Sequence, residues 1–264
     1  MKKSLLAMMA VTALLMGAEE APKPNPLVTH TELSYVQTQG NTDTTAFSLD
    51  FNGKKSWGAH SLKLHADALY GTENSQENKN KIFGELNYDW QFARHVALNY
   101  LAGYKDDKFS GFAYQFYTGP GAKVIVLDEK PYALEFQGNV LYSIDQGMNK
   151  YYDVNGTEVP YPYPDGTAGL TKVDGTFNDY WGYMLKGAFS WIIVEGFKFI
   201  EEASYRSDFD NDQNYFVASK TALESKINGN FSMGVSYKVD YTNRPPSGNE
   251  RTDTTFMTSL IIDY

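Results

Sequence analysis

Between Thr45 and Asn52 the chain alternates Ala46, Ser48 and Asp50 with Phe47, Leu49 and Phe51, a two-residue period that predicts a strand with unlike faces. The pattern recurs down the chain. Leu62, Leu64, Ala66, Ala68 and Tyr70 alternate with Lys63, His65 and Asp67, and Ile82, Gly84, Leu86, Tyr88, Trp90 and Phe92 alternate with Lys81, Glu85, Asn87, Asp89 and Gln91. Further runs predict strands around Leu33, Val96 to Tyr104, Tyr114 to Val126, Tyr132 to Ile144, Tyr183 to Trp191, Phe197 to Tyr205, Tyr215 to Leu223, Phe231 to Tyr241 and Phe256 to Tyr264. That makes about twelve strands, an even number within the range of bacterial single-chain barrels.

Periodicity alone does not separate a soluble sandwich from a membrane barrel, since both have one apolar and one polar face. Three further features do. Aromatic residues such as Tyr70, Trp90, Phe92, Tyr104, Tyr142, Trp191 and Tyr205 stand near the ends of the apolar faces, as interfacial girdles require. The alternating runs are longer than sandwich strands of about 5–6 residues. Connections also alternate in length. Short links at 92–95, 127–131, 193–196 and 227–230, with a slightly longer one at 53–59, face longer ones at 71–79, 105–113, 145–178, 207–214 and 243–253. The tight turn Gln39–Thr42 is the one short member of the second set. The fold expected is all-β: a transmembrane, antiparallel up-and-down β-barrel of about twelve strands, with short periplasmic turns and longer extracellular loops. Glu201 and Glu202 are adjacent, so both cannot face inward in a regular strand; a β-bulge, or a place for Glu201 near the periplasmic interface, is expected.

The first residues run Met1-Lys2-Lys3, an apolar stretch from Leu5 to Met16, then Gly17-Ala18 before Glu19-Glu20, the order of a secretory signal peptide. The expected organisation is a signal peptide over 1–18, a short Pro-rich periplasmic leader over 19–29, and a barrel over 30–264 with a long outer loop at 145–178. The location that follows is the outer membrane of a Gram-negative bacterium. The final strand ends on Tyr264, with Ile262, Leu260 and Phe256 on the same face, a pattern read as a signal for outer-membrane assembly machinery. The net charge of −9 argues against nucleic-acid partners. With no cysteine, disulfides, thiol nucleophiles and cysteine metal sites are excluded.

The stretches 33–43 (LSYVQTQGNTD), 104–112 (YKDDKFSGF) and 201–206 (EEASYR) resemble the YdiY-like salt-induced outer-membrane protein family, a group of uncharacterised barrels. The likeness runs from about Leu33 to Tyr264, with 145–178 as an insertion. It implies a barrel, an envelope location and a link to osmotic stress, and it brings no catalytic residues.

Candidate chemistry is sparse. Of the four histidines only His65 lies within a strand body, which leaves little basis for a rim hydrolase, and a non-enzyme is expected. Asp208, Asp210 and Asp212 have the spacing that begins a calcium loop, but Gln213 and Ser219 replace the Gly and Glu that such a loop needs, so a solvated acidic loop is the plainer reading. No pattern asks for a cofactor. Tyr151, Tyr152, Tyr161 and Tyr163 in the insertion suit sugar stacking, a lid, or mutual packing. Lipid and lipopolysaccharide are the expected partners. The interior face is expected to carry Lys63, Asp67, Lys81, Glu85, Asp89, Glu135, Lys186, Lys198, Glu202, Arg206, Glu224, Lys226, Lys238 and Asp240. Opposite charges there either line a wet path or pair and close it. The leading function is a passive or gated pore for small solutes or ions. The alternative is a closed-lumen envelope protein that binds lipopolysaccharide or sugars through its outer loops.

Overall fold

The computed structural model describes residues 26–38, 43–162, 166–246 and 248–264. The expected signal peptide and most of the leader, the Gln39–Thr42 turn and Tyr163 lie outside the described residues. Twelve strands close into an antiparallel barrel: β1 (Val28–Thr38), β2 (Thr44–Trp57), β3 (His60–Glu73), β4 (Gln76–Ala93), β5 (Val96–Asp107), β6 (Phe112–Glu129), β7 (Tyr132–Gly147), β11 (Phe177–Val194), β12 (Phe197–Asp208), β13 (Tyr215–Asn228), β14 (Phe231–Thr242) and β15 (Thr252–Asp263). β15 pairs with β1, with His30 opposite Asp263 and Leu33 opposite Leu260, so no edge remains. Within the insertion, β8 (Lys150–Tyr152), β9 (Glu158–Val159) and β10 (Thr171–Val173) form a separate small sheet.

Burial is inverted relative to a soluble protein. Leu185 on the outer face is 55 % exposed, whereas Asp50 on the inner face is 3 % exposed. A sandwich of this composition would hide the first and solvate the second, so the outward apolar face requires lipid. Aromatics close that face at both ends. Trp57, His60 and Tyr88 stack at one end, as do Tyr132 and Phe189. At the other end a chain of rings runs from Tyr183 through Tyr205 and Tyr215 to Tyr241.

All five links at the first end have two residues, and the start of β1 and the end of β15 lie there, with the Thr29 amide donating to the Tyr264 carbonyl at 2.7 Å. The opposite end departs from expectation. The Gly71–Lys79 link is not a loop: β3 and β4 continue to a two-residue turn at Asn74 and Ser75. The 105–113 link shrinks in the same way to 108–111, and the 145–178 loop begins only after Gly147 and ends before Phe177. Strands rise beyond the lipid, where neither face need be apolar, and the alternation that marks them in sequence fades while their backbone pairing continues.

Of the two expectations for Glu201 the bulge is not formed, and the residue pairs with Phe189, one of the aromatics at the turn-lined end. Pairing runs regularly through Phe189↔Glu201 and Glu201↔Thr221 without a bulge, and the side chain points outward between Phe199 and Tyr205. The Thr221 hydroxyl donates to its carboxylate at 2.6 Å, which partly meets its hydrogen-bonding capacity on an apolar surface.

Candidate functional site: the charged lumen

The inward residues of β4 to β7 form layers across one half of the barrel. Nearest the two-residue turns, Lys123 donates to Asp89 at 2.6 Å and Lys63 to Glu135 at 3.2 Å. Above them lies an amide layer: Asn87 donates to Gln137 at 3.2 Å, and Gln137 and Asn139 both donate to Asn99, at 2.9 and 2.8 Å. Leu101, Leu141, Met184 and Tyr117 then make an apolar plug with Phe83. Above the plug, Arg206 donates to Asp145 at 3.2 Å and stacks on Phe216, its guanidinium carbon 4.2 Å from the ring centroid, with Tyr117 at 5.2 Å. The carboxylate and two aromatic faces hold this buried guanidinium, although its Nη1 has no hydrogen-bond partner among the described residues.

Across the lumen, β1 to β3 supply acids that β13 and β14 answer with lysines, and between β4 and β14 the polarity is reversed. Lys238 lies between Asp50 at 2.8 Å and Asp67 at 2.9 Å, Lys81 bonds Asp240 at 2.9 Å, and Lys220 bonds Glu32 and Asp50. Lys186 on β11 reaches across to Glu85 on β4, which also accepts a hydrogen bond from the Tyr117 hydroxyl at 2.7 Å. Most of these charges are buried, Asp240 and Lys186 only partly, and each carries a partner because an unpaired buried one would be costly.

The wall of β11 to β13 is different. Its inner positions include Ala188, Ser190, Ser204 and Ala218, all only partly buried, and Glu202 among them is exposed. Lys220, the cross-strand partner of Glu202, turns instead to Glu32 and Asp50. Lys198 nearby is 41 % exposed, 3.8 Å from Glu224. Short side chains leave space along this wall that the opposite half fills.

Two segments meet over the outer mouth. From the β14–β15 loop, Asn249 reaches the turn between β5 and β6, where Pro246 also packs near Gly111. Four strands separate the two junctions in either direction around the barrel, so this loop crosses the mouth at its full width. The insertion arrives at the same turn: Met148 donates to the Gly111 carbonyl at 2.9 Å, and Tyr161 packs edge-on against Phe109 and donates to Glu77 at 2.6 Å. Tyr151 and Tyr152 are paired within the small sheet.

All the lumen residues expected from sequence fall on the inner face. Sequence reasoning missed Glu32, Asp50, Lys123, Asp145 and Lys220, which complete the pairs. Asp50 and Lys123 sit in the same alternation and were legible from it; Lys220 lies between Ser219 and Thr221, where both faces are polar and the period carries no sign. Asp208, Asp210 and Asp212 do not converge. Asp208 turns inward, buried, and its carboxylate accepts the Asp210 amide at 2.9 Å, closing a local turn. Strand β12 extends two residues further than the sequence loop implied, which separates Asp208 from its neighbours. Phe256, Leu260 and Tyr264 are exposed on the outer face beside the seam.

A lipid-facing apolar wall around a paired, charged interior defines a transmembrane β-barrel protein. The chain belongs to the DUF481 family, described as proteins of unknown function, whose family model matches residues 31–264. It is 24 % identical over 259 residues to the uncharacterized protein YdiY of Escherichia coli (strain K12), covering 93 % of this chain and 86 % of that relative. Among solved structures it is similar to the translocator domain of the autotransporter NalP from Neisseria meningitidis (10 % identity, TM-score 0.49, 99 % of this chain and 95 % of that one). It is also similar to the NanC porin (10 % identity, TM-score 0.47, 90 % and 99 %).

Proposed function

We propose that this protein is a narrow outer-membrane pore for small ions, with its path along the β11–β13 wall and a preference for cations. The observation that carries this reading is the exposed, inward-facing carboxylate of Glu202 among the small side chains of Ala188, Ser190, Ser204 and Ala218. A fixed charge on a wet wall sets ion preference, whereas the paired charges opposite set the bore. The charged struts and the covered mouth restrict passage to small solutes. A role in salt or osmotic adaptation is the physiological form this conduit takes. In this reading the protein is not an enzyme, and His65 belongs to the paired lumen wall, with the Asp50 carboxylate at 3.3 Å and the Phe83 ring beside it.

Planar-bilayer recording of the purified barrel tests this. Small, cation-preferring channel events support it. A complete lack of events, in the parent and in a variant lacking residues 149–175, sinks it.

The crossing of the mouth by the β14–β15 loop favours a second reading, a closed envelope protein whose outer loops contact lipopolysaccharide. Silence in the bilayer together with retained lipopolysaccharide binding would support that reading instead. In both readings the exposed C-terminal face from Phe256 to Tyr264 serves assembly into the outer membrane, and shortening it by one residue should lower the yield of folded barrel in cells.

A further inference from the structure

At the turn-lined end of the lumen three side chains from two distant strands converge. The Nε2 atom of His30 on β1 lies 3.3 Å from Glu32 Oε1 and 3.6 Å from Glu224 Oε1 on β13, and these ligand atoms all fall within 4.8 Å of one another. The other ring nitrogen, Nδ1, is 2.7 Å from Asp263 Oδ1 on β15. We propose that His30, Glu32 and Glu224 form a binding site for one divalent first-row transition ion, with Asp263 orienting the imidazole.

The geometry suits this class of ion. Nitrogen and oxygen ligands about 2.0–2.2 Å from one metal, at near-tetrahedral angles, stand roughly 3.4 Å apart, close to the observed separations from Nε2. A metal-bound imidazole donates its second nitrogen to a carboxylate, which fixes tautomer and ring orientation, and Asp263 occupies that place. One nitrogen with two carboxylates favours a borderline ion such as zinc over calcium or magnesium, which prefer all-oxygen shells. Glu32 and Glu224 are largely buried and His30 partly so, which preorganises the set. Lys220 shares Glu32 Oε1 and must lean on Asp50, its second partner, when the ion enters. A cavity of about 480 Å³, lined by Val28, Lys226, Asn230, Asp263 and Tyr264, gives access from the turn-lined end.

The site has a structural consequence. It draws ligands from β1 and β13, and its orienting carboxylate from β15, so it bridges the junction where the first and last strands meet. The register there runs only from His30↔Asp263 to Leu33↔Leu260, the shortest in the barrel. An ion there would staple the closure of the barrel.

The test uses the full detergent-solubilised barrel, stripped with chelator and titrated with Zn2+ by calorimetry. One Zn2+ per barrel is expected, with affinity at least tenfold weaker in His30→Gln and in Glu224→Gln, and unchanged in Asp212→Asn in the outer loop. Zn2+ should also raise the midpoint of heat-induced unfolding in the parent and not in Glu224→Gln. Should either variant fail to fold, Co2+ added to the parent provides the readout: visible absorption of a low-coordinate nitrogen–oxygen site and one shifted, slowly exchanging imidazole proton. Substoichiometric Zn2+, affinity in both site variants equal to that of the parent, or the spectrum of fully hydrated Co2+ would overturn the proposal.

Discussion

The side chain of Asn249 donates to the backbone carbonyl of Phe109 at 2.7 Å, although the two residues belong to loops on opposite sides of the barrel mouth. This single neutral hydrogen bond ties the crossing loop to the turn where the insertion also docks. A bond of this type contributes about 0.5–1.5 kcal/mol, so Asn249→Ala should shift an opening equilibrium by roughly 2- to 12-fold. Open probability in planar bilayers should rise accordingly while heat-induced unfolding stays nearly constant. An unchanged open probability would remove this loop from any gating role.

Glu202 should govern ion preference. Glu202→Gln should reduce the cation preference, and Glu202→Lys should reverse it, as read from the reversal potential in a salt gradient. Neither variant breaks an ion pair, because no carboxylate–lysine contact engages Glu202 among the described residues, so the barrel should unfold at the parent temperature. Substituting Glu85, Asp89 and Glu135 by Gln or Asn should also move preference toward anions, but at a cost in stability, since each is paired.

That cost is sharpest at Lys123 and Asp89, whose side chains are 4 % and 9 % exposed and 2.6 Å apart. Removing one partner leaves Lys123 with only the distant Glu135 at 3.9 Å, or Asp89 with only neutral donors such as Asn99, at a cost of up to about 3–5 kcal/mol. Asp89→Leu or Lys123→Met alone should therefore lower the denaturant midpoint markedly, and the double variant should recover much of the loss. A double-variant cycle with purely additive effects would mean that the pair is not coupled.

Tyr161 gives a pH dependence. Its phenol is pushed up to about 12, first by burial and then by the Glu77 carboxylate that accepts its proton. Because the docked pKa lies above the free value of about 10, the neutral phenol favours docking. That contribution is complete below about pH 10 and is lost as pH rises through about 12. The ultraviolet titration difference between the parent and Tyr161→Phe should show one phenol ionising late. A midpoint near 10 would place Tyr161 off the Glu77 contact.

Gly103 provides a packing test. A Cβ there would strike the Tyr117 ring, which lies over it and holds Glu85 through its hydroxyl. Gly103→Ala should push the ring aside, weaken the Glu85–Lys186 strut and destabilise the barrel by about 1–3 kcal/mol. Combining it with Tyr117→Phe should cost less than the sum, which denaturant unfolding can measure.

Alternation in the sequence determined the strand count and which residues share a face, while the aromatic girdles, long runs and alternating link lengths pointed to a closed membrane barrel. Lys63, Asp67, Glu85 and Asp89 fall on one face because a strand has a period of two, and that rule needs no knowledge of neighbouring strands. It weakens at Lys220 and along residues 74–81, where both faces are polar and apolar periodicity carries no sign. Partners were beyond it. Lys238 meets Asp50 and Asp67 only because closure brings β14 opposite β2 and β3, and Glu202 lacks a partner only because Lys220 is drawn across the lumen instead. His30 and Glu224 are 194 residues apart in the sequence, and only the meeting of β1 with β15 places them together. Facing is a property of one strand, whereas pairing depends on the register and curvature of all twelve, and so tertiary structure decided it.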